Sequence, residues 1–222
     1  QNVYEATQER LKTVFEEFDN IYVSFSGGKD SGLLLNLCID YMKKNNITKK
    51  LGVFHQDFEA QYEKTTEYVT KMFELHRDFI EPYWVCLPMA VRNALGNDMF
   101  WYPWETEKKD IWVRPMPNFD YVINIENQNF SFYKEKMNQE DLYKQFGKWY
   151  KESHGGGKTI ALIGVRADES LHRYSGIVNK KFKYNNENWI TKNFKDVWSA
   201  SPIYDWTTKD VWVANAKFGY DY

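Results

Sequence analysis

The residues with the clearest chemical potential are Ser26-Gly27-Gly28-Lys29-Asp30-Ser31. They follow the short apolar run Ile21-Tyr22-Val23-Ser24-Phe25 and precede a longer one from Gly32 to Met42. A strand, a glycine loop and a helix are expected in that order. The first N–H groups of a helix have no partner within it, and the helix dipole adds positive potential there. Paired glycines let a backbone approach an anion closely. Lys29 adds a charge, and Ser26 and Ser31 add hydroxyl donors. The segment therefore reads as a phosphate cradle. It is not a Walker A loop: Val23 stands where that pattern needs its first glycine, and Asp30 follows Lys29. A plain strand-to-helix turn capped by Ser or Asp is the alternative. Gly155-Gly156-Gly157-Lys158-Thr159 fails the same pattern, precedes a strand, and reads as a flexible turn.

Arg166 follows the apolar run Thr159 to Val165, beside Gly164. From there a planar guanidinium can grip phosphate oxygens in bidentate fashion. Arg173 comes seven residues later and shares a face with it if the intervening chain is helical. Lys29, Arg166 and Arg173 are thus expected to stabilise charge in a phosphoryl or adenylyl transfer, where positioning and electrostatics dominate. The competing reading pairs the arginines with Asp168 or Glu169.

These residues need a frame. Leu11, Val14, Phe15 and Phe18 mark a first helix over 4–18, and Leu51 to His55 reads as a second strand. Helices over 60–76 and 140–152, strands over 79–87 and 159–165, and a last helix from Thr207 complete the pattern. Thr207 and Asp210 form a variant capping box. Strands alternating with helices favour a parallel sheet covered on both faces. The pattern degrades between about 96 and 138, a stretch holding Pro103, Pro115 and Pro117.

Composition bounds the answer further. The 222 residues suit one α/β domain with an insertion. A net charge of −2 does not indicate a polybasic nucleic-acid binder. The two cysteines, Cys38 and Cys86, exclude a disulfide scaffold and a four-cysteine cluster within these residues, and both read as core thiols. No His/Cys/Asp/Glu group has zinc-ligand spacing, so no metal ligands are assigned. No apolar run suits a membrane span, and the start lacks signal-peptide character. The initial Gln1 and the ending at Tyr222 read as a trimmed or partial chain. Aromatic residues make up 18% and concentrate between 100 and 150, which points to a lid, acceptor pocket or partner surface over the strand ends.

Several segments together resemble a known family. Ser26 to Ser31 looks like the pyrophosphate loop of the adenine nucleotide alpha-hydrolase (PP-loop) superfamily. Gly164-Val165-Arg166-Ala167-Asp168-Glu169-Ser170, with Arg173, resembles the arginine motif of phosphoadenosine phosphosulfate (PAPS) reductases and the small subunit of ATP sulfurylase. Pro202-Ile203-Tyr204-Asp205-Trp206-Thr207-Thr208-Lys209-Asp210-Val211-Trp212 and His55-Gln56-Asp57 match further segments of that group. The YbdN/IbrA type is the nearest in appearance, with Val85-Cys86-Leu87-Pro88, Arg92-Asn93-Ala94 and Trp112-Val113-Arg114-Pro115-Met116-Pro117.

The resemblance implies a Rossmann-like, doubly wound parallel sheet with an aromatic-rich insertion and a nucleotide across the strand ends. It implies ATP, adenylyl sulfate or PAPS as ligand, Mg²⁺, no iron–sulfur cluster, and a cytoplasmic enzyme acting at the α-phosphate. The implied nucleotide-binding set is Ser26, Gly27, Gly28, Lys29, Asp30, Ser31, His55, Asp57, Gly164 and Arg166. Asp57 reads as a ribose or metal contact or as a helix N-cap; His55 as a backbone contact to adenine whose ring packs, ahead of a general base; Asp30 as a loop cap, ahead of a magnesium-facing carboxylate. A nucleotide-binding regulatory module with a ParB-like partner is the alternative, with nucleic acid met only indirectly. The Glu-Cys-Gly motif of sulfonucleotide reductases is absent, so thiol chemistry would need a downstream cysteine. Lys180-Lys181-Phe182-Lys183-Tyr184 reads as a solvated turn or a backbone-phosphate contact, and His154 as solvent-exposed.

Overall fold

A computed structural model describes residues 1–93, 96, 99–178 and 182–222. The chain order is α1 (Val3–Glu17), β1 (Asn20–Ser24), α2 (Lys29–Lys44), β2 (Leu51–Gln56), α3 (Glu63–Leu75) and β3 (Ile80–Val85). Then come β4 (Val91–Arg92), β5 (Phe100–Trp101), β6 (Val122–Ile123), α4 (Gln139–Ser153) and β7 (Thr159–Ile163). The last elements are α5 (Leu171–Val178), β8 (Lys183–Tyr184), β9 (Glu187–Phe194), β10 (Val197–Ala200) and α6 (Thr208–Phe218).

The main sheet runs β6-β3-β2-β1-β7-β10-β9-β8. All pairings from β6 to β10 are parallel, while β9 and β8 close the far edge as antiparallel strands. β1 lies between β2 and β7, so the winding reverses at β1. All six residues of β2 are buried, as a parallel strand covered on both sides requires. One face packs under α1, α2, α3 and α6 through Leu11, Leu34, Phe73 and Val211. The other packs under α4, where Phe146 and Tyr150 meet Tyr22, Phe54 and Tyr83. The expected doubly wound α/β architecture is therefore present.

Local chemistry sets the helix starts. Asn2 and Glu5 form a reciprocal capping box ahead of α1, and Thr207 with Asp210 does the same for α6. The strand expected over 79–87 keeps Pro82 in mid-strand, opposite Val53. β8, β9 and β10 have no counterpart in the sequence expectation. Two further expectations fall partly outside the described residues: Lys180 and Lys181 of the basic run, and Ala94 of the Arg92 segment. His154 is not solvent-exposed; its Nε2 meets Glu81 Oε2 at 2.9 Å and its Nδ1 meets the Tyr150 carbonyl at 2.8 Å.

The stretch from 96 to 138 folds back over the strand ends with little regular structure. Three of its aromatics, Trp104, Tyr121 and Phe130, are buried, while Phe100 and Phe119 are exposed. Trp104 donates from its backbone N–H to Glu59 (2.7 Å) and from Nε1 to the Asp57 carbonyl (3.0 Å). The Val113 N–H donates to the other Glu59 oxygen at 2.9 Å. The insertion is thus tied to the chain just beyond β2.

Candidate functional site

Open parallel sheets bind ligands at the carboxyl ends of the strands where the winding reverses. Here that point lies between β1 and β7, and a cavity of about 540 Å³ opens there on the α4 face. Ser26, Gly28, Lys29, Asp30 and Ser31 line it from the loop, and Gly164, Glu169 and Arg173 from the segment after β7. Ser24, Asn193, Ser199, Lys144, Phe54 and Tyr143 complete the walls.

The loop is shaped by close packing. Gly27 has φ +80°, and a Cβ there would lie 2.7 Å from Thr65 and 2.8 Å from Val69. Gly28 is the N-cap of α2, and the first helical backbone bond runs from the Gly32 N–H to the Gly28 carbonyl, at 2.9 Å. The N–H groups of Lys29, Asp30 and Ser31 precede that bond and have no carbonyl within the helix to reach. The Ser26 and Ser31 hydroxyls lie 3.0 Å apart, and Ser31 also donates to the Gly28 carbonyl at 3.0 Å. Gly164 presses on this turn: a Cβ there would sit 2.8 Å from the Ser31 nitrogen.

Lys29 is half-buried, with its ammonium 2.9 Å from Asp30 Oδ2. The second Asp30 oxygen accepts from Arg166 Nε at 2.9 Å. The Asp30 carboxylate therefore bridges two cations and is not a cap for its own loop. Arg166 is only 2% exposed. Its remaining donors reach the Trp206 carbonyl (3.2 Å), Thr208 Oγ1 (3.3 Å) and Asp168 (3.4 Å). The expectation that Arg166 grips phosphate is corrected on these grounds: four of its five side-chain N–H donors are committed, and it does not line the cavity. It positions Asp30, and through Asp30 the Lys29 ammonium. Arg173 behaves differently, with its side chain 53% exposed, 4.0 Å from Glu169, and on the cavity wall.

His55 and Asp57 lie elsewhere. The His55 ring is buried, with Nδ1 2.8 Å from the Phe25 carbonyl. Burial holds its pKa below the ordinary value, partly offset by the Phe25 bond and the Asp57 charge. Asp57 is fully buried and bound by Trp84 Nε1 (2.8 Å), the Glu59 N–H (2.8 Å) and Arg114 Nη2 (2.5 and 2.6 Å). Neither expected role for Asp57 fits: no oxygen is left for a ribose or metal, and α3 is capped at Tyr62. The carboxylate joins β2 to the insertion. Beside it in sequence, the Gln56 amide is 4% exposed, and neither its oxygen nor its nitrogen has a hydrogen-bond partner. Leaving such groups unpaired costs about 1–3 kcal/mol each.

The insertion encloses a second cavity of about 620 Å³, where Lys109 and Arg114 meet Trp104, Trp112 and Met116. Arg114 lies over the Trp104 ring, 5.1 Å from its centroid.

No family model matches the chain. It is 35% identical over 216 residues to the uncharacterized protein YbdN of Escherichia coli K12, a match covering 95% of this chain and 51% of that protein. The chain thus spans about half the length of this curated relative. Solved structures extend the comparison. The PAPS reductase of Candida auris, in complex with phosphate, aligns with a TM-score of 0.50 at 16% identity, covering 97% of this chain and 81% of that one. The FMN adenylyltransferase of Candida glabrata, in complex with FMN and an ATP analogue, gives 0.53 at 13%, covering 95% and 54%. The U34-tRNA thiolase NcsA of Methanococcus maripaludis gives 0.55 at 13%, covering 99% and 64%. The chain shares the α/β fold of these structures, with a mostly parallel sheet covered by helices.

One of these structural neighbours corrects the cofactor expectation. NcsA holds a [4Fe-4S] cluster on this fold, so the expectation of no cluster does not follow from the architecture. The expected Mg²⁺ also lacks a protein-built site: among the described residues no group of three or more His, Cys, Asp or Glu side chains could hold a metal. No helix among the described residues is long and apolar enough to cross a membrane. Sequence reading missed Ser24, Lys144, Asn193 and Ser199 on the cavity wall. The one local signal for Lys144 was its place beside Tyr143 on an amphipathic helix; the others sit on strands with no motif.

Proposed function

We propose that this chain binds an adenine nucleotide, ATP or a sulfonucleotide, with its phosphates on the Ser26–Ser31 loop, and acts at the α-phosphate. The supporting observation is that the cavity at the winding reversal is the one where free helix N–H groups, Lys29 and Arg173 converge. In the reaction, an acceptor oxygen attacks the α-phosphorus and a new P–O bond forms. The bond to the β-phosphate oxygen breaks, and pyrophosphate leaves with the electron pair. Lys29 and Arg173 stabilise the charge that builds on the phosphate oxygens, and the Ser26 hydroxyl and the free N–H groups at the start of α2 donate to them. Arg166 is a positioning residue acting through Asp30. Two free buried cysteines and a nucleotide substrate suit a cytoplasmic location.

A second reading, a nucleotide-binding module without turnover working with a ParB-like partner, draws on one observation. The carboxylates on the cavity wall are Asp30 and Glu169. Asp30 is held by Lys29 and Arg166, and Glu169 accepts from the Arg166 N–H at 3.1 Å. No uncommitted carboxylate stands ready as a general base on that wall. A thiol-dependent reduction would need a cysteine outside these 222 residues, because burial pushes both the Cys38 and Cys86 thiols well up from their usual range.

The test is pyrophosphate release from ATP beside calorimetric binding of ATP, adenylyl sulfate and PAPS. Lys29→Met and Arg173→Ala are expected to lose affinity by about 10-fold or more each, the weight of a charge-assisted hydrogen bond. Wild-type affinity in both variants would overturn the site. Tight binding without product would favour the module.

A further inference from the structure

We infer that the Gln56 side-chain amide reads the adenine base of the bound nucleotide. The inference rests on the phosphate-site reading above and adds a base-specificity residue to it. Along β2, side chains alternate between faces, so Gly52, Phe54 and Gln56 share the α4 face while His55 turns away. Phe54 already lines the cavity. Phe54 is level with Ser24 of β1, and Gln56 with Val85 of β3. Gln56 therefore sits two residues beyond a cavity wall residue, at the strand end beside the phosphate loop.

An amide is costly at this position. Its neighbours on that face, Phe54 and Val85, belong to an apolar cluster, and both polar atoms of Gln56 are without a partner. Packing alone would favour an apolar residue of the same size. A group left unsatisfied in the free protein points to a partner that arrives with the ligand. An amide offers one donor and one acceptor side by side, and adenine presents the complement: N7 accepts and the N6 amino group donates. Guanine presents two acceptors along that edge and leaves the amide oxygen unpaired. Gln56 is buried and off the cavity wall in the free protein, so reading the base requires its flexible side chain to rotate toward Phe54 and Tyr143, which supply flat walls for the ring.

The experiment measures binding of ATP, 7-deaza-ATP, which lacks N7, and inorganic tripolyphosphate by calorimetry. The proteins are wild type, Gln56→Met and Gln56→Leu, each with a melting curve in the unliganded state. Wild type is expected to bind 7-deaza-ATP about 10-fold more weakly than ATP, within the range of a bidentate base contact. Gln56→Met should bind the two nucleotides equally, bind tripolyphosphate as wild type does, and melt at or above the wild-type temperature. A polar residue kept for packing would instead lower the melting temperature when removed. An unchanged ATP to 7-deaza-ATP ratio in both variants would overturn the base assignment while leaving the phosphate site standing. Failure of wild type to bind either ATP or tripolyphosphate would overturn the phosphate site and this inference with it.

Discussion

Gly164 and Gly28 both face the phosphate loop, yet the structure predicts opposite behaviour when each becomes alanine. A Cβ on Gly164 would lie 2.8 Å from the Ser31 nitrogen, 2.9 Å from its Cα and 3.0 Å from the Asp30 carbonyl carbon. These are backbone atoms at the start of α2, so no side chain can swing aside. Comfortable contact needs about 3.5–4.0 Å, so the helix start must retreat by several tenths of an ångström or more. Overpacking of this kind costs about 1–3 kcal/mol, offset by about 0.4–1 kcal/mol from the stiffer unfolded chain. The net loss of about 1–2 kcal/mol lowers Tm by about 2–8 °C in a chain of this size. At Gly28 the nearest atom is Ser26 Oγ at 3.5 Å, and φ is −88°, which any residue adopts. Gly28→Ala should leave Tm within about 3 °C, because the poorer cap and the stiffer chain nearly cancel. Its methyl group would stand where a phosphate approaches, so nucleotide affinity should still fall. Differential scanning calorimetry and nucleotide titration on both variants separate the two effects. Equal melting temperatures for Gly164→Ala and wild type, or an equal loss in both variants, would refute the packing argument.

The two arginines after β7 should also part company. Arg166→Ala leaves Asp30 without its buried partner and is expected to cost about 3–5 kcal/mol by urea denaturation, whereas Arg173→Ala, exposed, should change stability by less than about 0.5 kcal/mol. His55 has its pKa lowered in the fold, so below about its ordinary value of 6.5 the unfolded chain takes up the proton first and stability falls as pH drops toward the folded value. Urea midpoints across that range should decline, and His55→Phe should flatten the slope; a flat wild-type profile would count against it. Cys38 and Cys86 should resist a thiol reagent in the native protein and react once it is unfolded, and rapid native labelling of both would contradict their burial.

What could be read from the residues was local. The loop from Ser26 to Ser31 declares itself because strand, glycines and helix are adjacent, and Thr207 with Asp210 marks the start of α6. The buried strands β1, β2 and β7 stand out as short apolar runs. Pairings between distant segments leave no such trace. Arg166 meets Asp30 across 136 residues, and Arg114 meets Asp57 across 57. Both were open to other readings because an arginine's partner depends on which strand ends the topology brings together. The β9 and β10 strands were missed for a different reason. Glu187–Phe194 mixes charged and apolar residues and lies next to the edge strand β8, and Val197–Ala200 is short and gains its place by pairing with β7.

The Arg166 brace has a consequence for how the protein is made. Its guanidinium joins the first loop of the sheet to Trp206 and Thr208, near the start of the last helix. A ribosome releases the chain from its amino end at about 5–20 residues per second. The glycine loop therefore emerges well before the segment that fixes Asp30, since 136 residues separate Asp30 from Arg166. Until Thr208 clears the exit, Arg166 has only part of its contacts and the Lys29 ammonium lacks its final support. The fixed position of Lys29 is thereby deferred until α6 has emerged, so that a chain cut short before α6 holds the loop sequence without the geometry that supports it.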